Sequence, residues 1–155
     1  MIRYKSCAII GNYRFITDNT SIKIEKYLFE AFKYGYERFY ICLSSRFGEA
    51  PFESVMSVRE VYGARVTAVF ESIFDFNLKI QSNRALYSNC DIVICSNEKS
   101  DFKRGYKYMI DDCDLIVGYT SRRERTYELE ALEYAQNMKK KVVNLYPIDG
   151  RWETN

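Results

Sequence analysis

The chain has 155 residues, of which 47% are apolar, and a formal net charge of +2. This length and composition suffice for one domain with a hydrophobic core and exclude a disordered chain. The charge is too small to argue for a nucleic-acid or membrane partner, and the sequence has no run of about 18 apolar residues that could cross a membrane. The chain contains no histidine, which excludes a Ser-His-Asp triad and a histidine-based metal hydrolase.

Short apolar runs alternate with helical patterns along the chain. The predicted strands cover residues 6–10, 38–43, 65–70, 91–95, 114–119 and 141–146. The predicted helices cover residues 20–34, 50–62, 77–88, 99–112 and 124–138. Gly35 is expected to end the first helix, and Pro51 fits the first turn of the second. The strands are apolar throughout, which predicts burial on both faces and a parallel sheet covered by helices.

This alternation predicts a three-layer, doubly wound α/β fold of the Rossmann-like kind, with a mainly parallel sheet of about six strands. The domain is predicted to span residues 1–147, and the polar tail 148–155 to lie loosely on its surface. The first residues enter a strand directly and lack the apolar region of a signal peptide. A cytoplasmic protein is therefore expected.

The five cysteines lie in or beside strands and form no Cys-x-x-Cys pair, so the spacing of a zinc site is absent. We predict that they are buried free thiols in a reducing compartment, and we expect neither a metal nor a cofactor. They are Cys7, Cys42, Cys90, Cys95 and Cys113.

The candidate site lies in four loops that follow strands, because ligands of such sheets bind at the carboxyl ends of the strands. These loops are residues 11–15, 44–49, 96–98 and 120–126, the third of which runs into a helix with basic residues. Basic side chains, hydroxyls and helix N-termini suit a phosphate or carboxylate ligand. The predicted ligand-binding residues are Gly11, Arg14, Ser44, Ser45, Arg46, Gly48, Arg104, Lys107, Thr120, Ser121, Arg122, Arg125 and Thr126.

The loop 120–126 departs from the usual pattern, because it carries three arginines and no glycine. Nucleotide-binding loops at this place are often glycine-rich, which lets the backbone approach a phosphate. A competing interpretation pairs the arginines with carboxylates on a solvated rim, namely Glu49, Glu53, Glu98 and Glu124. Among the 14 tyrosines, Tyr13 and Tyr119 are the best placed to stack on a base.

Four segments carry a resemblance to a known family. Residues 6–15, Ser-Cys-Ala-Ile-Ile-Gly-Asn-Tyr-Arg-Phe, resemble its opening strand followed by Gly-His-Arg-Pro. Residues 43–48 resemble its second loop, Ser-Gly-Gly-Ala-x-Gly, with Gly48 retained. Residues 103–114 are similar to its Lys-Arg-Asn-Arg-Trp-Met-Val-Asp-x-Ser-Asp stretch, and residues 125–126 stand where it has Gly-Gly-Thr. Over almost its whole length the chain resembles the YpsA-like branch of the SLOG superfamily.

The resemblance implies a bacterial protein that binds or senses a nucleotide-like anion at these loops. A related branch, the LOG-type phosphoribohydrolases, cleaves nucleoside monophosphates and uses a Pro-Gly-Gly-x-Gly-Thr-x-x-Glu loop. Here Thr126 keeps the threonine, but Leu129 stands at the glutamate position, so Glu128 or Glu130 would have to replace it. Those two lie about 200° apart on a helix, so at most one is expected to face the crevice.

Three functional hypotheses remain open. The first is binding or sensing of a nucleotide-like anion without catalysis. The second is a non-binding scaffold that acts through protein contacts or self-association, which the lost glycines and the aromatic content favour. The third is an N-glycosidic hydrolase with Glu128 or Glu53 as the acidic group, and with Arg104 or Lys107 on the phosphate.

Overall fold

A computed structural model describes residues 5–82, 84, 88–95, 102–148 and 151–154. Within these residues, strands β1 to β7 span Lys5–Gly11, Tyr36–Cys42, Arg65–Phe70, Asp91–Ile94, Leu115–Tyr119, Lys141–Ile148 and Arg151–Thr154. Helices α1 to α5 span Thr20–Lys33, Glu49–Tyr62, Ile73–Ser82, Phe102–Asp112 and Tyr127–Asn137. Single turns of 3₁₀ helix follow β1 and β2, at Tyr13–Phe15 and Arg46–Gly48.

All seven strands form one sheet in the order β4-β3-β2-β1-β5-β6-β7. The first six strands are parallel to their neighbours, and β7 is antiparallel to β6. The predicted doubly wound α/β class is therefore confirmed. The chain builds outward from β1 on one side and from β5 on the other, so the switch point, where ligands of such sheets bind, lies between β1 and β5.

Two apolar cores cover the two faces of the sheet, as the continuous apolar strands predicted. Along β1, Cys7 and Ile9 enter the core beneath α1 and α2, whereas Ala8 and Ile10 enter the core beneath α4 and α5. Successive strand residues point to opposite faces, so a strand between two helical layers must be apolar at every position. At the switch point, loop residues can therefore reach either helical layer.

The sequence led us to expect that the tail lies loosely on the surface. Its described part, Arg151–Thr154, is instead a strand of the sheet. Strand β6 continues to Ile148, and Arg151–Thr154 pairs with it, with Val143 opposite Thr154 and Asn144 opposite Glu153. Without this pairing β6 would be an edge strand with unpaired N–H and C=O groups, which readily accept another strand. The tail thus completes the sheet.

Two helices begin at residues that the apolar pattern did not indicate. Helix α3 begins at Ile73 rather than residue 77, because the Ser72 hydroxyl accepts a hydrogen bond from the Asp75 amide at 3.2 Å. Helix α5 begins at Tyr127 rather than residue 124, because Thr126 adopts extended backbone and caps the Leu129 amide. In both cases a hydroxyl capping the first turn sets the boundary.

All five cysteines are free thiols, as predicted. Cys7, Cys42 and Cys113 are buried, and burial raises the pKa of each. Cys90 and Cys95 are only half-buried, so the expectation of burial was wrong for them. No helix in the described part of the chain combines the length and the apolar character needed to cross a membrane.

Candidate functional site

A pocket of about 300 Å³ lies at the switch point, between the loop after β1 and the first turn of α5. We call it the switch-point pocket. Three predicted residues, Arg125, Thr126 and Glu128, line it. The N-terminus of α5 adds partial positive charge at this place. The complete lining is Asn12, Arg125, Thr126, Tyr127, Glu128 and Glu130.

Glu128 connects three elements around this pocket. Its Oε1 accepts a hydrogen bond from Nδ2 of Asn12 at 2.7 Å, and its Oε2 accepts one from the Tyr106 hydroxyl at 2.7 Å. Tyr106 lies on α4 and is only 3% exposed. Burial, reinforced by the charge of Glu128, raises the pKa of Tyr106 well above its ordinary value, so the phenol stays protonated and donates. Glu128 thereby holds the loop after β1, α4 and α5 in one arrangement.

Glu128 and Glu130 are both among the residues that line the switch-point pocket. Glu128 is half-buried and is held by its two donors, whereas Glu130 is exposed.

Gly11 and Gly48 are the glycines that the chain shares with the family it resembles. At both positions the space that a Cβ would take is occupied by other protein atoms. A Cβ on Gly11 would overlap the Phe47 ring, coming within 2.7 Å of Cε2. A Cβ on Gly48 would collide with the carbonyl oxygen of Cys42. Phe47 is 2% exposed and stacks on Tyr119, with ring centroids 6.1 Å apart. The backbone of Gly11 is thus covered by an aromatic ring, which leaves it no open approach for a phosphate.

Tyr119, which the sequence put forward for base stacking, is part of the core. It is 1% exposed, and its hydroxyl accepts a hydrogen bond from Oγ1 of Thr20 at 3.0 Å. The other stacking candidate, Tyr13, is 48% exposed and lies beneath the Arg46 guanidinium, whose Cζ is 4.1 Å from the ring centroid. Arg46 is therefore held by a cation–π contact on the outside of the loop.

The serine hydroxyls of the predicted site accept hydrogen bonds from backbone amides. Ser45 and Ser121 each accept a hydrogen bond from the amide two residues later, at 3.2 and 3.1 Å. The Ser44 hydroxyl accepts one from the Glu71 amide at 2.8 Å, which ties the loop after β2 to the end of β3. These three side chains therefore stabilise the loop conformations.

Thr120 is fully buried and forms part of a hydrogen-bonded pair with Asn144 of β6. Its amide donates to Oδ1 of Asn144 at 3.3 Å, and its carbonyl accepts from Nδ2 at 2.8 Å. The hydroxyls of Thr120 and Thr126 are 3.4 Å apart. This pairing anchors the start of the loop 120–126, in which Arg123 and Arg125 are exposed.

Part of the arginine rim pairs with carboxylates, as the competing interpretation predicted. Arg14 binds Glu124 at 2.6 Å, and both side chains are about half exposed. Arg125 binds Glu133 at 2.6 Å, a partner that the sequence analysis did not propose. Arg122 is half-buried in the same loop. The loop 96–98, including Glu98, lies outside the described residues.

The remaining predicted residues lie away from the switch-point pocket. Arg104 and Lys107 are exposed on α4, and Lys107 lines a separate groove between α4 and α5. Glu53 is exposed on α2, which packs on the opposite face of the sheet, and Glu49 pairs with Lys79 of α3. Neither acid joins Glu128.

Glu71, which was not among the predicted site residues, is a fully buried carboxylate directly after β3. Its Oε2 accepts a hydrogen bond from the Gly105 amide at 2.8 Å, and the Cys42 thiol lies 3.8 Å from its Oε1. A negative charge at the N-terminal half of α4 is favourable to the helix dipole. Its position directly after an apolar strand was the available signal, and the same signal marks Asn12 after β1.

No protein-family model matches the chain, and no curated protein matches it. Among the described residues, no group of three or more cysteine, aspartate or glutamate side chains is placed to hold a metal ion. The site therefore consists of a pocket lined by one arginine, two glutamates, an asparagine, a threonine and a tyrosine, at the N-terminus of α5. Such a set can bind a small polar molecule through side chains.

Proposed function

We propose that the chain is a SLOG-like binding module that takes up a nucleotide-like anion in the switch-point pocket without chemical conversion. The observation that carries this proposal is the position of the pocket, between Asn12 and the first turn of α5. Doubly wound sheets bind their ligands at this point because the loops diverge there to opposite faces.

The lining of the pocket suits the parts of a nucleotide. Arg125 and the N-terminus of α5 favour the phosphate, since both present positive charge and N–H donors. Glu128 and Glu130 are acceptors for sugar hydroxyls. The ligand is gripped by side chains, because Phe47 covers the backbone of Gly11.

The existing ion pair of Arg125 presents little obstacle to this role. Its pairing with Glu133 is solvent-exposed on both sides, and exposed pairs contribute only about 0–1 kcal/mol. Turning the guanidinium from Glu133 to a bound phosphate therefore costs little. Replacing Arg125 should likewise leave the fold intact. A loss of ligand binding in such a variant can then be told apart from a loss of stability.

A thermal-shift screen against AMP, ADP, NAD and cyclic nucleotides tests the proposal. A ligand present at about 100 times its Kd stabilises the folded chain by about 2.7 kcal/mol. We expect such a shift in the wild type and in Glu133→Gln, and its loss in Arg125→Ala. Arg59→Ala, on α2 outside the pocket, is the matched control. If none of the compounds shifts the wild type, the proposal fails.

A scaffold that acts through protein contacts is the second candidate, because the space above Gly11 and Gly48 is occupied by protein atoms. Its distinguishing result is the absence of any nucleotide-induced shift, together with a molar mass that rises with protein concentration in light scattering. A constant monomer mass argues against its self-associating form.

An N-glycosidic hydrolase is the third candidate, because the Glu128 carboxylate lines the pocket. Such an enzyme uses an acidic group beside the ribosyl bond while water replaces the base. Free base released from AMP, and no longer released by Glu128→Gln, would establish it. Glu53→Gln is the control, since Glu53 is exposed on the other face of the sheet.

A further inference from the structure

A second cavity, a groove of about 200 Å³, runs between α4 and α5. Its walls are mainly carbon, from tyrosine rings and aliphatic side chains, and a lysine and a glutamate also line it. The lining residues are Tyr106, Lys107, Ile110, Tyr127, Glu130, Ala131 and Tyr134. We call it the tyrosine groove.

The tyrosine groove adjoins the switch-point pocket. Tyr127 and Glu130 line both cavities, so the two share a wall along the first turns of α5. Ligand sites in proteins occupy about 300–1,000 Å³. The groove alone is smaller than this and the pocket is at the lower limit, so a ligand of ordinary size would have to use both.

Tyr106 connects the two cavities chemically. Its ring lines the groove, and its hydroxyl donates to Glu128, which lines the pocket. Tyr106 is almost fully buried, so its ring is fixed by packing as well as by this bond. A ligand that reaches both cavities would therefore meet Tyr127, which is 55% exposed, in the groove and the held carboxylate of Glu128 beside the pocket.

We infer that the tyrosine groove receives the base of the same nucleotide-like ligand whose phosphate and sugar occupy the switch-point pocket. The inference rests on the function proposed above. Flat aromatic rings stack on tyrosine and pack against aliphatic carbons. Because the groove exposes little polar surface, the base is recognised by stacking and shape, and hydrogen bonds to it play a minor part.

Calorimetric titration of the full chain with AMP and with ribose 5-phosphate, which lacks a base, tests the inference. Stacking of one base contributes about 1–3 kcal/mol, so AMP should bind about tenfold tighter than ribose 5-phosphate. In Ala131→Leu, whose longer side chain fills the groove, this advantage should disappear while the affinity for ribose 5-phosphate is unchanged. Tyr134→Phe, which keeps the ring, should retain the advantage.

A second variant keeps the test decisive if Ala131→Leu does not fold. Tyr127 is 55% exposed, so Tyr127→Ala should fold and also reduce the advantage of AMP. Equal affinities for the two compounds in the wild type would overturn the inference and leave the proposed function standing. An AMP advantage that survives in both variants would also overturn it. If neither compound binds the wild type, the proposed function and the inference both fail.

Discussion

The ring of Phe47 packs directly on the backbone of Gly11 and leaves no room there for a Cβ. Gly11 is the last residue of β1, Phe47 lies in the 3₁₀ turn after β2, and both are buried. Phe47 also stacks on Tyr119 at the end of β5. Phe47 therefore fills the switch point on the side of the sheet covered by α1 and α2. The switch-point pocket lies on the other side, at the start of α5.

Gly11→Ala should destabilise the chain by about 1–3 kcal/mol, because the added methyl overpacks the ring. Phe47→Ala alone should cost about 3–5 kcal/mol through the cavity that it leaves. In the Phe47→Ala background, Gly11→Ala should lower the free energy of unfolding far less, because the ring that the added methyl would overlap is absent. Urea unfolding of the four proteins measures this coupling, and equal costs of Gly11→Ala in both backgrounds would contradict the contact.

Gly105→Ala should also destabilise the chain, although it lies within α4. An alanine in place of a helical glycine usually stabilises by about 1 kcal/mol. Here the Cβ would lie 2.5 Å from Oε1 of the buried Glu71, and the carboxylate cannot move into solvent. Lys107→Ala, on the exposed side of the same helix, should be nearly neutral. A raised Tm in Gly105→Ala would show that Glu71 is not held at this place.

Asn144→Ala should cost about 2–4 kcal/mol, because it leaves buried backbone groups without partners. The side chain accepts from the amides of Thr120 and Tyr146 and donates to the Thr120 carbonyl. Amide hydrogen exchange at Thr120 should accelerate in this variant. Asn137→Ala, at the exposed end of α5, is the control and should change the free energy of unfolding very little. Unchanged exchange at Thr120 would count against this role.

Stability should fall as the pH rises above 10. Burial, with smaller contributions from Cys7 and Tyr36, raises the pKa of Tyr27 from 10.0 to about 12. The folded chain therefore favours the neutral phenol, while the unfolded chain ionises it near pH 10. The contribution of Tyr27 is complete below pH 10 and is lost as the pH rises to about 12.

Urea unfolding between pH 9 and 11 tests this expectation. Tyr27→Phe should lose less stability over this range than the wild type does, because phenylalanine cannot ionise. Tyr34→Phe is the control, since Tyr34 is 74% exposed, and it should follow the wild-type curve. If Tyr27→Phe loses stability as steeply as the wild type, another group controls the alkaline transition.

The sequence predicted the strands well and the helix starts less well. β3 was placed at its observed bounds, because its run is too short for a typical helix and is rich in β-branched and aromatic residues. The starts of α3 and α5 were missed because Ser72 and Thr126 act as caps, which depends on backbone conformation that apolar spacing does not encode. The pairing of the tail with β6 likewise depends on an edge that exists only in the assembled sheet.

The sequence indicated which kinds of residue surround the candidate site, but it indicated the positions of only some of them. Arg125, Thr126 and Glu128 line one pocket, because they lie close together in the chain, at the end of the loop after β5 and in the first turn of α5. Arg14 and Arg46 are instead engaged by Glu124 and Tyr13. The partner of a long side chain is set by distant loops, so neither contact could be read from the order of residues.

The sequence by itself determined the α/β class, the two-sided burial of the sheet and the loops that meet at the carboxyl ends of its strands. These follow from local periodicity and from the general geometry of parallel sheets. Only the tertiary structure decided that Phe47 covers Gly11, that Tyr106 and Asn12 hold Glu128, and that the switch-point pocket adjoins the tyrosine groove. Each of these depends on side chains far apart in the chain, whose contacts arise from packing of the assembled layers.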